Sequence, residues 1–104
     1  MYMAEYSLLS SLSIYFKMHN FLGNSVFVED GNEILNTIRY NLAIFTKPSS
    51  STLNVDITPA AFWIVNANNV VTDNAAAGGT HFGFWYQFFE HPEGPNFDVN
   101  ICPR

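Results

Sequence analysis

Glu29, Asp30 and Glu33 place three carboxylates around a single glycine, Gly31, directly after the apolar run Val26-Phe27-Val28. Carboxylate oxygens are hard ligands that suit calcium, and an acid pair suits glycosidic bond chemistry. Adjacent strand residues point to opposite faces, so Glu29 and Asp30 share a pocket only where the strand has already turned. The plainer expectation is a turn at Asp30-Gly31, with the aspartate side chain holding backbone amides. His81 follows Gly78-Gly79-Thr80 and leads into an aromatic run. Its imidazole is a candidate general base or metal ligand, with Asp56 or Asp73 as orienting carboxylate. His19 and His91 stand at no metal-ligand spacing from it, so a structural role for His81 is the stronger expectation. The rings of Trp63, Trp85 and Tyr86 are ligand-binding candidates, forming with Phe62 and Phe84 a strip on which a carbohydrate could stack. Packing against a neighbouring layer is the competing reading, and the preferred one.

The elements that must position these groups repeat along the chain. Val26-Phe27-Val28-Glu29 leads to Asn36 and then Asn41, while Phe62-Trp63-Ile64-Val65 leads to Asn69 and then Asn74. A third copy opens at Gly83-Phe84-Trp85-Tyr86. Each has a short apolar or aromatic run, a turn rich in Asn and Gly, and a second short apolar segment. A period of about 20–35 residues marks stacked units that cover one another's apolar faces. Asn36, Asn41, Asn69 and Asn74 fall at matching places, where amides can ladder between layers. Gly31 and Gly83 are assigned structural roles at the strand ends.

The apolar runs do not alternate cleanly, which suits parallel strands covered on both sides. The copies lie too close together for a crossover helix in each. The expected architecture is all-β, a right-handed parallel β-helix of about three rungs. Its rungs are assigned to residues 20–90, with an inserted Pro- and Ser-rich loop at 46–58. Residues 91–104 read as a turn-rich tail.

Residues 1–19 lack the repeat and are expected to form a separate, short helical segment. They lack the basic start and Ala-x-Ala-like site of a secretory leader, and no run of about 18 apolar residues crosses a membrane.

Hydrophobic residues make up 48% of the 104 residues, aromatic residues 16% and charged residues 12%, which excludes disorder. The net charge of −5, with only four Lys plus Arg, excludes a nucleic-acid partner. The same field disfavours an anionic polysaccharide unless calcium or other domains intervene. Cys102 is the only cysteine, so no internal disulfide forms and a free thiol is expected.

The chain resembles the parallel β-helix region shared by the fibrocystin and fibrocystin-L family and the related cell-surface hyaluronidases. The resemblance is carried by Gly23-Asn24-Ser25-Val26-Phe27-Val28-Glu29-Asp30-Gly31, by Thr58-Pro59-Ala60-Ala61-Phe62-Trp63-Ile64, and by the stretch from Asn74 to Tyr86. His91-Pro92-Glu93-Gly94-Pro95 resembles fibrocystin-L in particular. Asn24 stands where the family usually has His, which weighs against chemistry through that position. The resemblance implies an extracellular or cell-surface location and a piece of a larger ectodomain. It also implies a non-catalytic module for adhesion, surface coat or ligand binding, with no cofactor beyond a weak case for calcium. Glu29, Asp30 and His81 are the catalytic candidates for the alternative, part of a hyaluronan-depolymerising β-helix enzyme.

Overall fold

Short β-branched and aromatic runs favour extended backbone, and here they stack in parallel instead of folding back on themselves. The protein is described from a computed structural model, which covers residues 13–14, 17–50 and 55–102. Strands β1 (Ser13–Ile14), β2 (Lys17–His19) and β3 (Val26–Val28) form a first coil. Strands β4 (Thr37–Arg39) and β5 (Leu42–Ile44) open a second, which β8 (Ala60–Ile64) completes. Strands β9 (Val70–Thr72), β10 (Ala75–Ala77) and β11 (Phe82–Tyr86) form a third. Equivalent strands pair in parallel into three sheets, ordered β1-β4-β9, β10-β5-β2 and β11-β8-β3. This is a parallel β-helix.

The first two copies pair as the sequence repeat aligns them, and the third is displaced by one residue, so that Phe84 rather than Gly83 lies on Phe62. Val26 pairs with Phe62 and Phe62 with Phe84; Phe27 pairs with Trp63 and Trp63 with Trp85. Between β5 and β8 the second coil is interrupted by an antiparallel pair, β6 (Ser49–Ser50) and β7 (Val55–Asp56). That excursion is why Val26 and Phe62 lie further apart in sequence than Phe62 and Phe84.

The corners that follow the first and second sheets are tight, and each places a residue in the left-handed backbone region. Tyr40 and Asp73 supply it between the first and second sheets, at φ 57° and 54°. Asn20, Phe45 and Gly78 supply it after the second, at 61°, 58° and 66°. Four of these five carry side chains, at a cost of roughly 1–2 kcal/mol each, which the stacking must offset. Gly78 is required by contact as well as conformation. A Cβ there would lie 2.8 Å from Phe45 Cε1.

The core runs along the coil axis and holds Met18, Val26, Val28, Ile38, Ala43, Ala61, Phe62, Ile64 and Val65. Fully burying a side chain such as Phe62 or Ile64 contributes roughly 1.5–3 kcal/mol.

The first coil begins earlier than the repeat suggests, because β1 and β2 pair with β4 and β5 inside the segment expected to stand apart. Only Met18 is buried between exposed Lys17 and His19, so the strand carries one apolar residue and no visible pattern. Its partner lies 25 positions later (Lys17 against Leu42). The helical expectation for the rest of residues 1–19 lies outside the described residues.

Candidate functional site

Chemistry-bearing side chains cluster at two corners, at opposite ends of the β11-β8-β3 sheet. The first corner follows β3. Glu33 turns back so that its Oε1 accepts from Asp30 N at 3.2 Å and its Oε2 from Gly31 N at 3.0 Å. The buried carboxylate at this turn is therefore Glu33, and the expected role of the Asp30 side chain in holding amides is corrected. The longer Glu33 stem reaches back to both amides from two and three residues on, while the Asp30 carboxylate is taken up by Asn96.

Asp30 turns instead to the tail. Its Oδ2 accepts from Asn96 Nδ2 at 2.6 Å, and its carbonyl accepts from Glu93 N at 2.8 Å. Gly94 sits at φ +62°, where a Cβ would come within 3.0 Å of Asp30 Oδ1. Glu29 is exposed beside them. Each oxygen of Glu33, and Oδ2 of Asp30, thus faces an N–H donor. Among the described residues no group of three or more His, Cys, Asp and Glu is arranged to hold a metal ion.

From this corner an amide network climbs the stack. Asn66 Nδ2 donates to the Gly31 carbonyl at 2.7 Å, and Asn69 Nδ2 donates to the Glu33 carbonyl at 2.8 Å. Asn69 Oδ1 accepts from both N and Nδ2 of Asn36, at 3.0 Å each. Five residues on, Asn74 Oδ1 accepts from Asn41 N at 3.0 Å and from Asn41 Nδ2 at 2.8 Å. Asn74 Nδ2 donates to the Ile38 carbonyl at 2.8 Å. Each rung of amides ties a corner of the second coil to the same corner of the third. Asn66 escaped the sequence reading because no equivalent residue repeats in the other coils.

The aromatic rings form two columns. Phe62 and Phe84 stack at 4.8 Å with planes 9° apart, and Phe62 belongs to the core. Strand alternation puts the neighbouring column on the other face. There Trp63 and Trp85 stack at 5.4 Å, while Phe27 meets Trp63 edge-on at 6.0 Å. Trp63 and Trp85 are half-buried and Tyr86 is exposed. Trp85 Nε1 is buried with no hydrogen-bond partner.

The second corner lies between β10 and β11. Thr80 Oγ1 engages His81 Nδ1 at 3.0 Å, and Thr80 N donates to the Thr46 carbonyl at 3.0 Å. Thr46 Oγ1 in turn meets Ser25 Oγ at 3.0 Å, buried. These Ser and Thr residues link all three coils, through hydroxyls between Ser25 and Thr46 and through the Thr46 carbonyl to Thr80, yet the excursion in the second coil breaks their spacing in the sequence. A cleft of about 220 Å³ opens here, lined by Ala43, Ala61, Ala76, Gly83, His81 and Phe82 among others. His81 stands at the start of β11, whereas Glu29, Asp30 and Glu33 follow the end of β3. At about 3.3 Å per residue, a five-residue strand holds these two ends roughly 13 Å apart. They share no site. Neither orienting carboxylate proposed for His81 is seen on it: Asp73 lies at another corner, and the side chain of Asp56 is outside the described residues.

The family model described as CEMIP beta-helix matches residues 16–103. The chain is 55% identical to Fibrocystin-L of Mus musculus over 84% of its length and 53% identical to Fibrocystin-L of Homo sapiens over the same share. It covers 2% of either protein. It is also 34% identical to Cell surface hyaluronidase CEMIP2 of Homo sapiens, over 80% of this chain and 8% of that one. No solved structure matches the chain.

Proposed function

Because this chain belongs to the CEMIP beta-helix family, we propose that it serves as a non-catalytic, extracellular module of a fibrocystin-L-like surface protein. Its task in that reading is ligand binding or adhesion, with a glycan as the ligand class. The observation that carries the reading is the engagement of the acidic corner. Glu33 holds the turn amides and Asp30 holds Asn96, so both carboxylates are committed to structure. The higher identity to Fibrocystin-L than to the hyaluronidase supports the same side. Trp63, Trp85 and Tyr86 supply aromatic surface beside this scaffold.

The competing reading is a hyaluronan-depolymerising enzyme using Glu29, Asp30 or His81. A depolymerisation assay on the complete ectodomain, with and without calcium, separates the two. No cleavage is expected, together with retention of the ectodomain on cells or a glycan array. Hyaluronan cleavage that disappears in Asp30→Ala while the fold persists would overturn the proposal.

A further inference from the structure

We infer that Asp30-Gly31 is a site of spontaneous modification, aspartate to isoaspartate, which the corner after β3 holds in check from two sides. It is the only Asp-Gly pair in the chain, and no Asn-Gly pair occurs. Glycine leaves the amide that follows an aspartate without a Cβ to shield it, and its backbone bends freely. In the reaction the Gly31 nitrogen attacks Asp30 Cγ. An N–Cγ bond forms, the Cγ–OH bond breaks, and the hydroxyl leaves as water with the amide proton. Water then opens the five-membered succinimide. Opening at Cγ restores aspartate, whereas opening at the Asp30 main-chain carbon gives isoaspartate. Water is the only co-reactant, and nothing is oxidised or reduced.

Both reacting groups are held. Gly31 N donates to Glu33 Oε2 at 3.0 Å, and Gly31 itself is buried. Asp30 Oδ2 accepts from Asn96 Nδ2 at 2.6 Å. The rest of the pair's main chain is engaged as well. Asp30 N donates to Glu33 Oε1 at 3.2 Å, the Asp30 carbonyl accepts from Glu93 N at 2.8 Å, and the Gly31 carbonyl accepts from Asn66 Nδ2 at 2.7 Å. Attack requires the amide to leave Glu33 and the carboxyl to leave Asn96, and bonds to charged groups are the strong ones. The reaction therefore proceeds from locally opened molecules, at a rate set by how often this corner opens.

The modification also acts back on the structure. Isoaspartate routes the main chain through Cβ and Cγ, lengthening it by one atom and shortening the side chain by one methylene. The two Asp30 groups that hold the tail, Oδ2 for Asn96 and the carbonyl for Glu93 N, both move. A docked tail suppresses the reaction, and the completed reaction releases the tail.

The test ages the full chain at neutral pH and body temperature and follows isoaspartate at position 30 by mass spectrometry with electron-transfer fragmentation. Wild type is expected to convert at least about tenfold more slowly than the same chain unfolded in urea. Glu33→Ala frees the amide and Asn96→Ala frees the carboxyl, and each should raise the rate roughly tenfold. Amide exchange across residues 93–97 should rise in step with conversion in wild type. Asn74→Ala, which loosens a different corner, is expected to age as wild type. If Glu33→Ala does not fold, Asn96→Ala at its half-buried position carries the comparison alone. A folded chain that converts as fast as the unfolded one would overturn the inference. So would clamp variants that age no faster than Asn74→Ala, or a tail whose exchange ignores conversion.

Discussion

Single side chains set how the coils lock together. Asn74 Oδ1 is the acceptor shared by Asn41 N and Nδ2. Asn74→Ala removes it from a half-buried site, and a lost buried partner costs about 1–3 kcal/mol. Hydrogen exchange at the Asn41 amide should accelerate by roughly ten- to a hundredfold, since each 1.4 kcal/mol is a factor of ten. An unchanged rate would show that the ladder contributes nothing at that corner. Gly78 gives a sharper case. Gly78→Ala puts a methyl 2.8 Å from the Phe45 ring at a backbone of φ +66°. The loss should be about 1–2 kcal/mol from backbone alone, with the clash added. Pairing it with Phe45→Ala should relieve the clash and leave only the backbone part, which a double-mutant cycle on thermal unfolding measures. The five-residue step from Asn36 to Asn41 and from Asn69 to Asn74 was legible in the sequence. The partner of Gly78 was not, because Phe45 meets it only once the second coil lies under the third.

At the level of elements, the corner after β3 joins the first coil to the tail. Asp30 accepts from Asn96, and Glu93 N bonds back to the Asp30 carbonyl. His91 and Phe97 meet edge-on at 4.8 Å, closing the tail around the short 3-10 turn Gly94–Asn96. Asp30→Ala should free this tail, seen as faster proteolysis or amide exchange across residues 93–97, with the strands unaffected. Glu33→Ala should act on a different segment. Bonds to a charged acceptor are worth about 1.5–3 kcal/mol, and two amides lose one together. Protection should fall at Asp30 and Gly31 and, through Asn66, at the corner above. The strands β3, β4, β5, β8, β9 and β11 were readable from their short apolar runs, whereas the three alanines of β10 were not. β2 was not, because a three-residue strand with one buried side chain has no period to detect.

The whole molecule is unequal at its two ends. In the first coil Val26 and Val28 are 4% and 6% exposed, whereas their counterparts in the third, Phe84 and Tyr86, are 42% and 51% exposed. Val70 and Phe82 add to the same open face, and β9, β10 and β11 all end their sheets there. Apolar rings beside unpaired strand edges are a template for association. The chain expressed alone should therefore self-associate, and sedimentation should show species above the monomer. Phe84→Lys with Tyr86→Lys should restore the monomer, since charges on an exposed edge oppose pairing. A monomer in the unmodified chain at tens of micromolar would contradict this account. The same nearest-neighbour logic means that a coil is stabilised chiefly by what stacks on it.

The order of runs, turns and amides along the chain determined the stacked parallel architecture, because it depends on which residue types recur at which spacing, and that is local information. The register of the third coil, with Phe84 rather than Gly83 on Phe62, was set only by the structure. Tertiary structure alone decided what each polar group does. Glu33 rather than Asp30 serves the turn, Asp30 reaches a tail 66 positions away, and Ser25, Thr46 and Thr80 align across an interrupted coil. Hydrogen bonds are specified to within a few tenths of an ångström between residues remote in sequence, and no periodicity carries that information.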